Sequence, residues 1–269
     1  MGAGNGAVIL ATTDGGATWT AESYPSGYGL SSGYLQGISC STDSDCVTTG
    51  GGNGAVLLAT TNGGATWNAG SYPSGYGLSS GGLYAVSCPT TSDCIAAGEG
   101  NGAVILATTD GGATWTAESY PSGYGLSSGY LLGVSCPTRS DCLAVGQSAA
   151  STAVAIRTTD GGSTWSAETL PSGLGGADLF SVSCTSATSC VAVGPDNDIT
   201  TADGNQTAVV VETSNGGSTW SLSSLPTGLG LHTNGELLGV SCVPGTVNSC
   251  WAVGQGGTAA VILTNTGTG

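Results

Sequence analysis

Lysine is missing from this chain of 269 residues, and Arg139 and Arg157 are its only arginines. Against them stand 17 acids, giving a formal net charge of −15. Two cations cannot neutralise a phosphate track, which excludes nucleic-acid binding. Anionic membrane surfaces are excluded for the same reason. No apolar run approaches the roughly 18 residues that cross a bilayer, so membrane insertion is not expected. No segment holds an i, i+3, i+4, i+7 apolar pattern over three turns, and 49 glycines further disfavour helix. The opening MGAGNGAVIL has neither the basic region nor the cleavage site of a secretory leader. Hydrophobic residues still make up 39% of the chain, with a mean hydropathy of +0.19, so a packed core is expected rather than disorder.

The chain is one unit written five times. Residues 4–35 and 100–131 are the same string, GNGAVILATTDGGATWTAESYPSGYGLSSGYL. A recurring tryptophan falls at Trp19, Trp67, Trp115, Trp165 and Trp220, with spacings of 48, 48, 50 and 55. A period near 48 belongs to propeller blades or helical-pair arrays, and the glycine content argues against helices. Each unit reads as four short strands, as in LYAVSC at 83–88, CIAAG at 94–98, GAVILATT at 102–109 and ATWTAESY at 113–120. Four antiparallel strands per repeat make a propeller blade. The reading is a single all-β domain over 1–269, a five-bladed β-propeller. Its blades lie near 34–72, 83–120, 131–170 and 179–225, with a composite blade joining 237–265 to 7–24. The strand count comes to 21, one more than five blades need. Residues 7–13 and 259–265 then compete for one third-strand slot. The N-terminal copy is expected to win, because a short turn hairpins it to its outer strand. The displaced C-terminal strand, within 259–269, then predicts weak self-association by strand addition.

The turn between the third and fourth strands is TTDGGATW at 12–19 and 108–115. It is TTNGGATW at 60–67, TTDGGSTW at 158–165 and TSNGGSTW at 213–220. These five copies match S/T-x-D-x-G-x-T-W, so the chain resembles the Asp-box (BNR-repeat) propellers. The surrounding VSC…CxAVG…AVILxTTDGGxTW looks most like BNR-like and photosystem II assembly-factor-like proteins. Sialidases and xyloglucan-cleaving hydrolases share the box. The acid or amide of the box (Asp14, Asn62, Asp110, Asp160, Asn215) is expected to accept N–H groups of its own turn. Glycine supplies positive φ, and the tryptophan packs beneath the hairpin with its N–H needing a partner. The interchange of Asp and Asn makes the box a fold staple rather than a calcium or sugar site.

Ten cysteines form five close pairs: Cys40/Cys46, Cys88/Cys94, Cys136/Cys142, Cys184/Cys190 and Cys242/Cys250. Each pair flanks the loop between first and second strands, where facing cysteines meet disulfide geometry. No C-x2-C spacing exists for zinc. Five disulfides imply an oxidising compartment, hence the mature or excised form of an exported protein, extracellular or on the cell surface.

Catalysis is poorly supported. The sialidase resemblance implies three arginines clamping the substrate carboxylate, and only Arg139 and Arg157 are present. His232 sits in an interblade loop without a nucleophile elbow. Asp178 and Glu236 occupy equivalent positions in adjacent repeats, so a carboxylate pair for glycoside cleavage is the alternative to a binding role. Asp196, Asp198 and Asp203 lie in a 15-residue loop, 194–208, with oxygen ligands suited to calcium. Their spacing lacks the EF-hand glycine, and a polar insertion explains them better. No cofactor is expected. The preferred functional surface carries the linkers PSGYGLSSG, where Tyr28, Tyr76 and Tyr124 either anchor a glycan or protein ligand or plug gaps between blades.

Overall fold

The computed structural model describes residues 6–174, 176–197, 206–246 and 249–266. The regular structure of the described residues is antiparallel β-sheet, apart from one 3-10 turn at Leu126–Ser128. It divides into two compact units, Met1–Glu118 and Ser119–Gly269.

The first unit opens with a two-stranded sheet, β1 (Ile9–Ala11) and β2 (Thr20–Glu22). Two four-stranded meanders follow. One is β3 (Tyr34–Cys40), β4 (Cys46–Gly52), β5 (Gly54–Thr60) and β6 (Asn68–Ala69). The other is β7 (Gly82–Ser87), β8 (Cys94–Gly100), β9 (Gly102–Thr108) and β10 (Thr116–Ala117). The third strands β5 and β9 are buried along nearly their whole length, because both faces of each sheet are covered, and they accordingly read as continuous aliphatic runs.

The second unit repeats the pattern. One sheet is β11 (Tyr130–Ser135), β12 (Cys142–Gln147), β13 (Ala153–Thr158) and β14 (Ser166–Ala167). The next is β15 (Ser181–Cys184), β16 (Cys190–Asp196), β17 (Thr207–Thr213) and β18 (Ser221–Leu222). The last sheet has three strands, β19 (Gly235–Cys242), β20 (Ser249–Gly256) and β21 (Ala259–Thr266). The first strands β3, β7, β11 and β19 carry a register shift, as between Leu35 and Gly37 or Leu237 and Gly239, a bulge that raises local twist.

Two expectations need correction. The third-strand slot beside β20 holds residues 259–266, paired from Ser249↔Thr266 to Gly256↔Ala259. Residues 7–13 were expected in that slot. β1 does pair with β2, as the expected hairpin. The turn argument that favoured β1 applies equally to β21, which follows β20 through Gly257 at φ 60 and Thr258. The local hairpin therefore fills the slot without a long-range closure. The fourth strands are also shorter than expected. Thr116–Ala117 are paired where 113–120 was expected, because residues 112–115 are committed to the box turn and its tryptophan.

All five cysteine pairs are disulfides, with Cα–Cα separations of 4.0–4.1 Å. Cys40 and Cys46 are directly opposite in the β3–β4 register, as are Cys242 and Cys250 in β19–β20. The next pair outward, Ser41 N–H to Asp45 carbonyl at 3.0 Å, closes the hairpin by hydrogen bonding. The cysteines thus take the closely spaced, non-hydrogen-bonded position of an antiparallel ladder. A second link joins neighbouring first strands. Ser39 Oγ accepts the Cys88 N–H at 2.9 Å in the first unit. In the second, Ser135 accepts from Cys184 and Ser183 from Cys242, both at 3.0 Å. The V-S-C triplet therefore carries one bond within the hairpin and one between sheets, and the serine's part escaped the sequence reading.

Candidate functional site: box turns, buried carboxylates and a linker groove

The box turn is a closed hydrogen-bond set. At 108–115, Thr108 Oγ1 donates to Asp110 Oδ1 at 2.8 Å and accepts the buried Gly112 N–H at 3.2 Å. Asp110 Oδ1 accepts the Thr114 N–H at 2.9 Å, and Oδ2 accepts the Thr114 hydroxyl. Gly111 and Gly112 sit at φ 73 and 92, where a side chain would be strained. Asp14 makes the same contacts with Thr18, and Asp160 with Thr164. The threonine hydroxyl and N–H hold the Asp14 and Asp110 carboxyls down to about 2, and Asp160 is lowered for the same cause. Asn62 keeps the geometry with the hydroxyl bond reversed. Its Oδ1 accepts the Thr66 N–H at 2.9 Å, while its Nδ2 donates to Thr66 Oγ1 at 2.8 Å. Asn215 does likewise with Thr219. The box acceptors are thus occupied by their own turn.

The box tryptophans diverge. Trp67, Trp115, Trp165 and Trp220 are buried, whereas Trp19 is exposed. The indole of Trp115 donates to the Gly112 carbonyl at 3.0 Å, and that of Trp220 to Glu168 Oε2 at 3.4 Å. The indole N–H groups of Trp67 and Trp165 have no partner among the described residues. In the first unit the end of the preceding outer strand clasps the box. Ser71 N–H donates to the Ala113 carbonyl and Trp115 N–H to the Ser71 carbonyl.

The proposed carboxylate pair divides. Asp178 is buried, and its Oδ1 accepts the Tyr130 hydroxyl at 3.1 Å. That hydroxyl also reaches Gln147 Oε1 at 3.0 Å. Burial raises the Asp178 carboxyl against the opposing Tyr130 bond. Glu236 is half-buried, opposite Gln255 in the β19–β20 register. A matching cluster occurs in the first unit, where burial raises both Tyr34 and Tyr84, with Tyr84 hydrogen-bonded to Glu99 and Tyr34. These clusters occupy the starts of first strands and tie side chains across neighbouring sheets. Sequence alignment alone could place the positions but not the tyrosine partners.

Of the calcium candidates, Asp196 ends β16, opposite Thr207. Asp198 and Asp203 lie outside the described residues. Among the described residues, no three His, Cys, Asp or Glu side chains form a metal-holding group. His232 is exposed. Arg157 is buried, donating to the Ala187 carbonyl and lying 3.6 Å from Asp141. That carboxyl is lowered, because bonds from Thr138 and Ser140 and the guanidinium outweigh its burial.

The linker tyrosines are partly exposed. Tyr28 and Tyr76 in the first unit are 41% and 43% exposed, and Tyr124 in the second is 48% exposed. Beside Tyr124 runs an open groove of about 590 Å³. Its apolar lining includes Leu170, Pro171 and Leu174, and its polar lining Ser148, Thr152 and Glu168. The Ser148 hydroxyl is shared with Thr152 Oγ1 at 2.7 Å and holds the Ala150 and Thr152 N–H groups, which fixes that wall. Burial raises the Glu168 carboxyl, opposed by the Trp220 N–H and the charge of Arg157.

No family model matches the chain, and no curated protein matches its sequence. Solved structures do match. A YCF48 bound to D1 peptide superposes with a TM-score of 0.61 at 17% identity, over 97% of this chain and 72% of that one. YCF48 from Cyanidioschyzon merolae gives 0.51 at 14%, over 96% and 88%. A mutant Trypanosoma rangeli sialidase displaying trans-sialidase activity gives 0.57 at 11%, covering 96% of this chain and 49% of the enzyme. At these identities the likeness establishes the fold, which is that of the β-propeller proteins, and leaves the function to the site itself.

Proposed function

We propose that this protein is an exported, non-catalytic binding module that takes an extended peptide segment in the groove beside Tyr124. The observation that carries the reading is the groove, with an exposed tyrosine, a leucine–proline wall and a rigid serine–threonine wall. Amphipathic rings beside small polar groups suit peptide recognition at low entropic cost. The net charge of −15, with Glu168 in the groove, favours a segment bearing a basic residue. The likeness to a protein captured with a bound peptide supports this reading. Five disulfides are in keeping with an oxidising, extracellular-type setting.

Selection of random peptides on the immobilised protein tests the proposal. Enriched peptides are expected to carry a basic residue. They should bind Tyr124→Ser and Glu168→Gln at least about tenfold more weakly, a change of about 1.4 kcal/mol. Tyr28→Ser should leave them unaffected. Selected peptides that bind all three variants equally would place recognition elsewhere.

A further inference from the structure

The residue seven before the box acid or amide is alanine in every repeat, as at Ala7, Ala55, Ala153 and Ala208. In these four repeats the linker that follows the outer strand lies in the same unit as the alanine. That linker closes the alanine backbone in a set way. The Ala7 N–H donates to the Leu30 carbonyl at 2.8 Å, and the Tyr24 hydroxyl donates to the Ala7 carbonyl at 2.7 Å. Ala55 is held likewise, by the Leu78 carbonyl at 2.7 Å and the Tyr72 hydroxyl at 3.0 Å. Ala208 keeps the bond to the Leu231 carbonyl, at 2.8 Å. Ala7 and Ala55 are 5% exposed and Ala208 6%.

Ala153 departs from this. Leu170 stands where Tyr24 and Tyr72 stand, five residues after the box tryptophan, and it has no hydroxyl to offer the Ala153 carbonyl. The linker is also short, since Asp178 follows Leu170 by eight residues where Tyr34 follows Tyr24 by ten. The Leu174 carbonyl accepts the Ala177 N–H at 3.3 Å, within its own turn. Among the described residues, nothing at Ala153 replaces the two bonds that close Ala55. Nor does β12 take them. The Ser148 N–H donates to the Thr152 carbonyl, so bonded pairs alternate from there, and Val154 rather than Ala153 turns its backbone groups to β12. Ala153 is accordingly half-buried, and it lines the groove beside Tyr124.

We propose that a peptide in this groove binds by strand addition to the start of β13, one of its residues pairing antiparallel with Ala153. The inference rests on the peptide reading of the groove. Ala55 is closed by one acceptor and one donor, a carbonyl and a hydroxyl. An extended peptide residue presents the same set, one acceptor and one donor, from its own backbone. The pairing is confined to that one residue. Ala155, the next to face outward, has its carbonyl taken by the Glu168 N–H at 2.9 Å, and the Ser151 N–H already donates to the Ser148 carbonyl at 3.0 Å. Main-chain bonds at Ala153 therefore fix register and direction, while Tyr124, Leu170 and Glu168 read the flanking side chains.

Three measurements on the full chain test this. In the free protein the Ala153 amide should exchange with solvent at least about tenfold faster than those of Ala55 and Ala208. Adding a peptide selected on the immobilised protein should slow it. An N-methyl scan of that peptide should find a position whose methylation weakens binding at least about tenfold, because its N–H donates to the Ala153 carbonyl. Leu170→Tyr restores the residue of the closed repeats and should weaken binding to a similar degree, whereas Leu225→Tyr, outside the groove, should not. The proposal is overturned if Ala153 is as protected as Ala55 in the free protein, or if a peptide that needs Tyr124 and Glu168 leaves the Ala153 amide unslowed. It is equally overturned if no methylated position matters, or if Leu170→Tyr binds as wild type does. Those results leave the peptide reading standing. A selection that enriches no peptide, or peptides indifferent to Tyr124 and Glu168, removes that reading and this inference with it.

Discussion

Residues 12–19 and 108–115 are one string, TTDGGATW, folded twice within the same unit. Their turns agree closely. The Thr18 and Thr114 N–H groups each lie 2.9 Å from the aspartate Oδ1, and both carboxyls are held to about 2 by the same threonine bonds. Their surroundings do not agree. Trp115 is 4% exposed and Trp19 58%, and Gly112 is buried where Gly16 is exposed. β9 pairs over seven residues and β1 over three. The box therefore supplies its own local geometry, while burial of its tryptophan comes from the neighbouring sheet, here through Val47, Ala59 and the Ser71 clasp. Local sequence fixes the turn, and tertiary context fixes what the turn stabilises.

The widest gap between the two copies should appear at the indoles. Trp115→Ala removes a buried ring among packed aliphatics and should cost about 3–5 kcal/mol in chemical denaturation. Trp19→Ala should stay within about 0.5 kcal/mol, as for an exposed site. Equal losses would break the comparison. A smaller gap should appear at the box threonines. Thr108→Val leaves the buried Gly112 N–H without its acceptor and should cost about 1–3 kcal/mol. Thr12→Val exposes the Gly16 N–H to water, which replaces the lost bond, so the midpoint should move less.

The smallest effect is one of pH, and there the copies should agree. A carboxyl whose folded value is about 2, below its ordinary 3.8, adds stability above about pH 4 that is lost as pH falls through 2. Asn62 and Asn215 hold the same turn without titrating. Asp14→Asn and Asp110→Asn should therefore keep the fold at pH 7 and each flatten the stability loss between pH 4 and 2. Urea midpoints at pH 5 and 2.5 check this, and unchanged acid sensitivity in both variants would show that the box carboxyls do not carry it.

Much of the fold was legible because the repeat is close to literal. Five boxes, five cysteine pairs and the period near 48 gave the four-stranded units and the disulfides directly. The seam was not legible. GAVILAT at 6–12 and AAVILTN at 259–265 are near-copies with equivalent local hairpins, so pattern cannot say which fills a slot, and a one-sided turn argument chose the wrong one. The candidate site was legible only in part. Tyr124 was visible as a linker tyrosine, but its groove is assembled from Ser148, Glu168 and Leu170, which come from other stretches of the chain. Asp178 was found by alignment, yet its tie to Tyr130 depends on two sheets facing each other, which spacing cannot reveal.

The central claim is that identical boxes differ in indole burial because of their neighbours. 19F spectra of the fluorotryptophan-labelled protein, at dilutions where it is monomeric, test this most directly. The Trp19 and Trp115 lines can be assigned with single Trp→Phe variants. A soluble paramagnetic quencher should broaden the Trp19 line strongly and leave Trp115 sharp. Two lines quenched alike, whether both shielded or both open, would contradict the account.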